Sequence, residues 1–230
     1  MNRQTGDKTM VITIDGPAGA GKSSVARELA RQLGFRFLDT GAMYRAVACQ
    51  ALDRGMDWDD SAALGELAAG LQLEFQEGRV LLDGLDVSQA IREPEVTDNI
   101  HHVADNLLVR EALVLLQRQL AQVGNVVTEG RDQGTVAFPA AECKFFLTAS
   151  PQERARRRCA QLQGQGIEAD HDAVLEQLRA RDERDAARPV GAMQAADDAV
   201  CVDTDRMDQQ QVVQQLVQLV REKTGQAESN

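Results

Sequence analysis

The chain has 230 residues, 43% of them hydrophobic and 27% charged, and a formal net charge of −11. Length and apolar content suit one large domain with a real core. The acidic balance excludes a general binder of nucleic-acid polymers or membrane surfaces, which need a basic face, and 3% aromatic residues leaves few base-stacking platforms. An anionic small molecule would need a local basic cluster inside an acidic protein.

Residues 1–9 and 225–230 are polar and are expected to form a flexible N-terminus and tail. Between them, apolar runs predict strands at Val11–Ile14, Phe35–Leu38, Asn125–Thr128, Cys143–Leu147 and Ala199–Val202. Helical patterns lie between the runs, and Val212–Lys223 makes a final amphipathic helix. This alternation implies an α/β fold, a parallel sheet covered on both faces. The stretch Met56–Ala104 breaks the rhythm. There Leu71–Phe75 and Arg79–Leu82 flank Gln76-Glu77-Gly78, a hairpin pattern, and Gly84 punctuates again before Asp86–Ser88. No stretch approaches a membrane span, and no secretory h-region precedes the first strand. The cysteines, Cys49, Cys143, Cys159 and Cys201, include no C-x-x-C pair, and the histidines complete no zinc pattern. Cys143 and Cys201 sit in apolar runs and are expected to be buried thiols. A reduced, cytoplasmic setting is expected.

Five segments carry chemistry. In the first, Val11–Asp15 delivers Gly16-Pro17-Ala18-Gly19-Ala20-Gly21-Lys22-Ser23-Ser24, followed at once by the helix-forming run Val25–Leu33. Strand, G-x-x-x-x-G-K-[ST] loop and helix in that order form a phosphate site. The glycines let the backbone wrap an anion, and the loop N–H groups and helix start supply positive potential. Lys22 is placed to reach the β/γ oxygens and Ser23 to hold Mg²⁺. In the second, Leu38–Arg45, a strand end meets a helix start with Thr40 as the expected N-cap. In the third, Val126–Thr135, an apolar strand delivers Glu129, Arg131 and Asp132 to its carboxyl end, where open α/β sheets bind ligands.

The fourth segment, Ser150–Arg158, places Arg154, Arg157 and Arg158 on one helical face, with Arg156 on another. Beside a phosphate loop in an acidic chain this reads as an arginine lid, with Gly164 and Gly166 allowing it to move. The fifth is the helix Ala173–Arg188. Its apolar stripe of Val174 and Leu178 continues as Arg181, Asp185 and Arg188, which suits a charged ligand or partner.

Taken together, ITIDGPAGAGKSS, LDTGAMYR, REAL at Arg110–Leu113, EGRDQGTVAFP and RARDERDAAR before Pro189 resemble the bacterial cytidylate kinases, a family of nucleoside-monophosphate kinases. Their order and spacing agree across most of the chain. The resemblance implies a P-loop kinase fold with a five-stranded parallel sheet core. It also implies a monophosphate-binding insert holding a small antiparallel sheet, at about 40–104, and a short arginine-rich lid at about 150–166. All of it belongs to a single kinase domain over 10–224.

It further implies ATP on Gly16–Ser24 with Mg²⁺, and CMP or dCMP as acceptor. Thr40, Arg45 and Arg131 match positions that hold the monophosphate, Arg181 and Asp185 positions near the sugar, and Arg110, Asp132 and Arg188 positions that read the pyrimidine. Lys22, Arg131, Arg157 and Arg158 would carry the catalytic charge. A carboxylate can accept from cytosine's amino group, and arginines can donate to its ring acceptors. The chain departs at Glu129, where the family often has Asp, and at His101, where some members carry a serine that touches the base. The alternative is another P-loop kinase, of UMP/CMP or adenylate type. A GTPase switch is disfavoured, because D-x-x-G and [NT]-K-x-D do not occur. A monomer is the expected state.

Overall fold

Parallel strands can be joined only through crossovers, and here helices provide them. The computed structural model describes residues 9–76, 78–164 and 166–225. The elements run β1 (Val11–Asp15), α1 (Lys22–Leu33), β2 (Arg36–Asp39), α2 (Thr40–Asp53), α3 (Ser61–Gly70), β3 (Leu73–Gln76), β4 (Arg79–Leu82), β5 (Leu85–Asp86), α4 (Pro94–Ala104), α5 (Leu107–Leu120), β6 (Val126–Glu129), β7 (Cys143–Thr148), α6 (Pro151–Gly164), α7 (His171–Ala187), β8 (Val200–Asp203) and α8 (Gln209–Thr224). A π-helical turn at Gln133–Ala137 follows β6. The chain divides into two compact units, Met1–Phe37 with Ala121–Asn230, and Leu38–Leu120. The expected flexible ends, 1–9 and 225–230, lie outside the described residues except for Thr9 and Gly225.

The five-stranded parallel sheet has the order β2-β6-β1-β7-β8. Val11 to Ile14 of β1 pair with Val126 to Glu129 of β6, and Ile12 to Asp15 pair with Cys143 to Phe146 of β7. Alternation along β1 sorts its side chains. Ile12 and Ile14 join Val127, Phe145, Leu147 and Val202 in a core closed by Val25 and Leu29 of α1 and by Val213, Leu216 and Val220 of α8. Thr13 and Asp15 point to the opposite face, where both are buried. A second apolar cluster joins Ala155 of α6 to Val174 and Leu178 of α7, with Ala18 of the glycine loop against it. α8 starts in a capping box, the Asp208 side chain accepting from Gln211 N–H while the Gln211 side chain returns to Asp208 N–H.

Every strand of the large sheet ends one residue beyond the expected run, at Asp15, Asp39, Glu129, Thr148 and Asp203. The apolar pattern stops where the ladder does not. The cysteine expectation holds only in part. Cys143 is buried, but Cys201 is exposed, because β8 is an edge strand whose outer face is left open by the described residues.

In the second unit Met43, Leu64, Ile91 and Leu113 are fully buried. The expected hairpin is present, with Leu73 opposite Leu82 and Gln76 opposite Arg79; Glu77 in its turn lies outside the described residues. Asp83 and Gly84, at φ 50 and φ 80, form the two-residue turn into β5. Positive φ at both central positions is what the right-handed twist of a hairpin demands, and Asp-Gly supplies it. β5 covers Leu85–Asp86 and not Asp86–Ser88, because the Ser88 side chain folds back to accept from Val80 N–H and to bond Asp86. Among the described residues, no helix is long and apolar enough to cross a membrane.

α3 crosses α5 so closely that a Cβ on Gly65 would stand 2.5 Å from Leu108 Cβ. Gly65→Ala should therefore destabilise the chain by about 1–3 kcal/mol through overpacking, outweighing the roughly 1 kcal/mol gain in helix propensity. Gly70 closes the same helix with nothing within 4 Å, so Gly70→Ala should be neutral or stabilising. Urea midpoints of both variants check the pair; equal shifts would remove the close crossing as the cause.

Candidate active site

The first unit carries the glycine loop. Gly16 has φ 139, and a Cβ there would lie 2.0 Å from the Leu147 carbonyl oxygen, so the root of the loop presses directly on β7. Gly21 caps α1 in the left-handed conformation, which leaves the first N–H groups of the helix open at the loop. Lys22 begins that helix and curls back to donate to Pro17 O at 2.8 Å. Burial pushes its ammonium down to about 7, and the Arg131 guanidinium adds to the fall. An anion in the loop would oppose both causes. Ser23 Oγ donates to Glu129 Oε1 at 2.9 Å, joining α1 to the end of β6. Ser24 Oγ turns to Gly21 O.

Beyond β6 the chain gathers arginines. Arg131 Nε donates to Asp185 Oδ2 at 2.8 Å, Arg188 Nη2 meets Oδ1 at 2.6 Å, and Arg181 Nε stands 3.9 Å away. Burial alone would raise the Asp185 carboxyl; the guanidiniums of Arg131, Arg188 and Arg181 overcome it and hold the group below its ordinary range. Asp132 is buried at the start of the π turn. Lys22, Arg131, Arg181, Asp185 and Arg188 thus share one region, and the charge on Lys22 responds to Arg131 and Arg181.

The lid arginines divide. Arg154 is buried and donates to Ala149 O, Ala18 O and Asp182, so it is a strut beneath the glycine loop and not part of an exposed arginine face. Arg157 is held by Glu153 and by the hydroxyl and carbonyl of Thr204, with Nη1 4.0 Å from where a Gly21 Cβ would stand. It already overhangs the loop. Arg158 bonds Gln161 on its own helix, and exposed Arg156 pairs with Glu153.

The second unit carries Thr40, Arg45, His101 and Arg110. Thr40 is not the N-cap of α2. Asp39 is, its carboxylate accepting from Ala42 N–H at 2.9 Å, while Thr40 is the buried first residue of the helix. An aspartate one position earlier reaches the third N–H of the turn, as an N-cap carboxylate does. Arg45 Nη1 lies 3.4 Å from Thr97 Oγ1. Arg110 is buried, donates to Ala104 O at 3.1 Å, and lies 5.8 Å over the Tyr44 ring. His101 Nδ1 is 2.8 Å from Asp98 O and so carries the proton, since a carbonyl only accepts. Its ring centroid is 4.0 Å from that of His102, which stacks on Trp58 at 5.0 Å.

The sequence reading missed Asp15 and Thr204. Asp15 had a signal: a carboxylate ending a wholly apolar strand must be buried, and a buried charge needs partners. Thr204 had none, because its role depends on where β8 lies in the sheet.

The family model for cytidylate kinase matches residues 12–222. A cytidylate kinase of Rhodopirellula baltica is 51% identical over 213 residues, covering 93% of this chain and 93% of that protein. One of Mycobacterium leprae is 48% identical over 217 residues, covering 94% and 97%. A solved structure of an uncharacterized protein from Eubacterium ventriosum superposes with a TM-score of 0.54 at 10% identity, covering 92% of this chain and 98% of that one, a likeness of fold alone. With the family's pattern running from the first strand into the last helix, and relatives matched almost end to end, the chain belongs to the cytidylate kinase family.

Proposed function

We propose that the chain transfers the terminal phosphoryl group of ATP to CMP and dCMP, releasing ADP and the matching diphosphate. In a member of this family, the observation that carries the reading is the meeting of Lys22 on a glycine loop with arginines gathered on Asp185. In a chain of net charge −11 such a local basic cluster suits an anionic ligand.

In this reading ATP lies along Gly16–Ser24, with loop N–H groups and the start of α1 facing its phosphates. Lys22 leaves Pro17 O for the β/γ oxygens. The Ser23 hydroxyl and Glu129 carboxylate are oxygen donors of the kind a hard cation takes, so they suit Mg²⁺. The ion would neutralise charge on the transferring phosphates. Thr40, Arg45 and Arg131 hold the acceptor's phosphate. Arg181 and Asp185 serve the sugar, and Arg110, Asp132, Arg188 and His101 the base. The acceptor's phosphate oxygen is itself a competent nucleophile, so no covalent enzyme intermediate is needed. Alignment and charge neutralisation do the rest, with Arg157 already over the loop and Arg158 joining only if it leaves Gln161. We read residues 10–224 as one kinase domain acting as a monomer in the cytoplasm.

A coupled ADP-release assay across the nucleoside monophosphates tests the assignment. CMP and dCMP should lead; AMP or UMP leading would favour the adenylate or UMP/CMP type.

Lys22→Ala should lower kcat on the order of 10²-fold or more at saturating ATP, since its charge is needed most as charge shifts in the transition state. Circular dichroism should show the fold intact. Near-normal turnover would refute the loop assignment.

Arg157→Ala should lower kcat about tenfold or more, because a guanidinium at the phosphates stabilises the transition state. Arg156→Ala, which removes only an exposed pair with Glu153, should stay within about twofold. Equal losses would contradict the placement of Arg157 over the loop.

Asp132 accepts from cytosine's amino group but meets an acceptor oxygen in uracil. An unpaired buried acceptor costs about 1–3 kcal/mol, or about 5- to 150-fold in discrimination. Asp132→Asn should therefore narrow the CMP/UMP ratio of kcat/KM. An unchanged ratio would remove Asp132 from base reading.

A further inference from the structure

One buried acid of the first unit has no part in the scheme above. Asp15 ends β1, is 4% exposed, and points away from the apolar core on the same face as Thr13. Its Oδ1 accepts from Gln133 N–H at 2.8 Å, and its Oδ2 from Gly134 N–H at 2.7 Å. These are the first two residues of the π turn, directly after Arg131 and Asp132. The turn is pinned twice more. Gly130 N–H donates to Ile14 O at 3.0 Å, and Thr128 Oγ1 donates to Gln133 Oε1 at 2.9 Å.

The grip leaves no slack. A Cβ on Gly134 would stand 3.0 Å from Thr13 Oγ1, 3.3 Å from Lys144 Cδ and 3.4 Å from Asp15 Oδ2. A side chain there would force Thr13, Lys144 or the carboxylate to give by a few tenths of an ångström. Hydrogen bonds to an ionised acceptor are shorter and stronger than neutral ones, and two from successive residues fix orientation as well as distance. Burial pushes the Asp15 carboxyl up to about 6, and the N–H groups of Gly134 and Gln133 oppose that rise.

We propose that Asp15 is a positioning residue for the acceptor nucleotide: by holding the N–H groups of Gln133 and Gly134 it sets where Arg131 and Asp132 stand. The carboxylate's bonds go to the segment that meets the acceptor, although the phosphate loop begins at the next residue. This rests on the reading of Arg131 and Asp132 as acceptor contacts.

Asp15→Asn keeps the shape but offers one oxygen to two N–H groups and turns an NH₂ on the other. The test pairs steady-state kinetics with amide hydrogen exchange. Expected are an increase in KM for CMP of about tenfold or more, as for a lost hydrogen bond to a charged group, a narrowed CMP/UMP ratio, and KM for ATP within about twofold. Exchange should accelerate at residues 131–134 and stay unchanged in α8. Gly134→Ala, which loosens the grip from the other side while keeping the carboxylate, should give the same pattern and serves alone if Asp15→Asn does not fold.

Unchanged exchange at 131–134 in a folded Asp15→Asn would overturn the proposal whatever the substrate. So would equal increases in KM for CMP and ATP, or a fall in kcat that only follows the loss of folded enzyme. A turn that loosens with KM for CMP unmoved would overturn it differently, by removing Arg131 and Asp132 from the acceptor site. Wild-type enzyme silent toward CMP would instead refute the parent reading.

Discussion

A buried cation must have an anion beside it, and much of the first unit is arranged to meet that requirement. Three guanidiniums, from Arg131, Arg181 and Arg188, crowd a carboxylate that is 5% exposed. Without Asp185 they would repel one another in a place where water screens them only in part. Removing one member of a buried pair costs about 3–5 kcal/mol, chiefly because the other is left uncompensated. Asp185 therefore keeps the arginines assembled. α7 supplies a second such acid one turn earlier, where Asp182 meets buried Arg154 under the glycine loop. That helix has a weak apolar face because its role is largely to carry anions to arginines on other elements.

This division explains what the sequence could and could not reveal. The glycine loop was legible because its spacing is its mechanism. The five parallel strands were legible because apolar runs mark the core. Yet each run was ended one residue early, since the last residue of every strand is polar: Asp15, Asp39, Glu129, Thr148 and Asp203. Chemistry concentrates at the carboxyl edge of a parallel sheet, and that edge is where hydrophobic periodicity stops. The same rule shifted the cap of α2 from Thr40 to Asp39, which belongs to both the strand and the turn.

Partnerships that depend on tertiary position were harder to read. Arg154, Arg157 and Arg158 look alike in a helical projection. One is buried under the loop, one hangs over it and one faces its own helix, because Ala18, Asp182 and Thr204 come from distant parts of the chain. Cys201 sits in as apolar a run as Cys143 but on the edge strand, and strand order is not written in a run's composition. Gly65 has no sequence signal either; its need arises only where α5 presses Leu108 against it.

The stack of Trp58 on His102 gives the second unit an optical property. Trp58 is the chain's one tryptophan, so indole emission arises at a single point, 5.0 Å from an imidazole. Burial, with the neighbouring His101, holds His102 below the ordinary histidine range, so the ring stays neutral until the solution is acidified. A protonated imidazole withdraws electrons from an excited indole far better than a neutral one. Emission therefore reads the charge state and geometry of α4 while the glycine loop stays dark, and the protein carries a built-in fluorophore for that unit without a label.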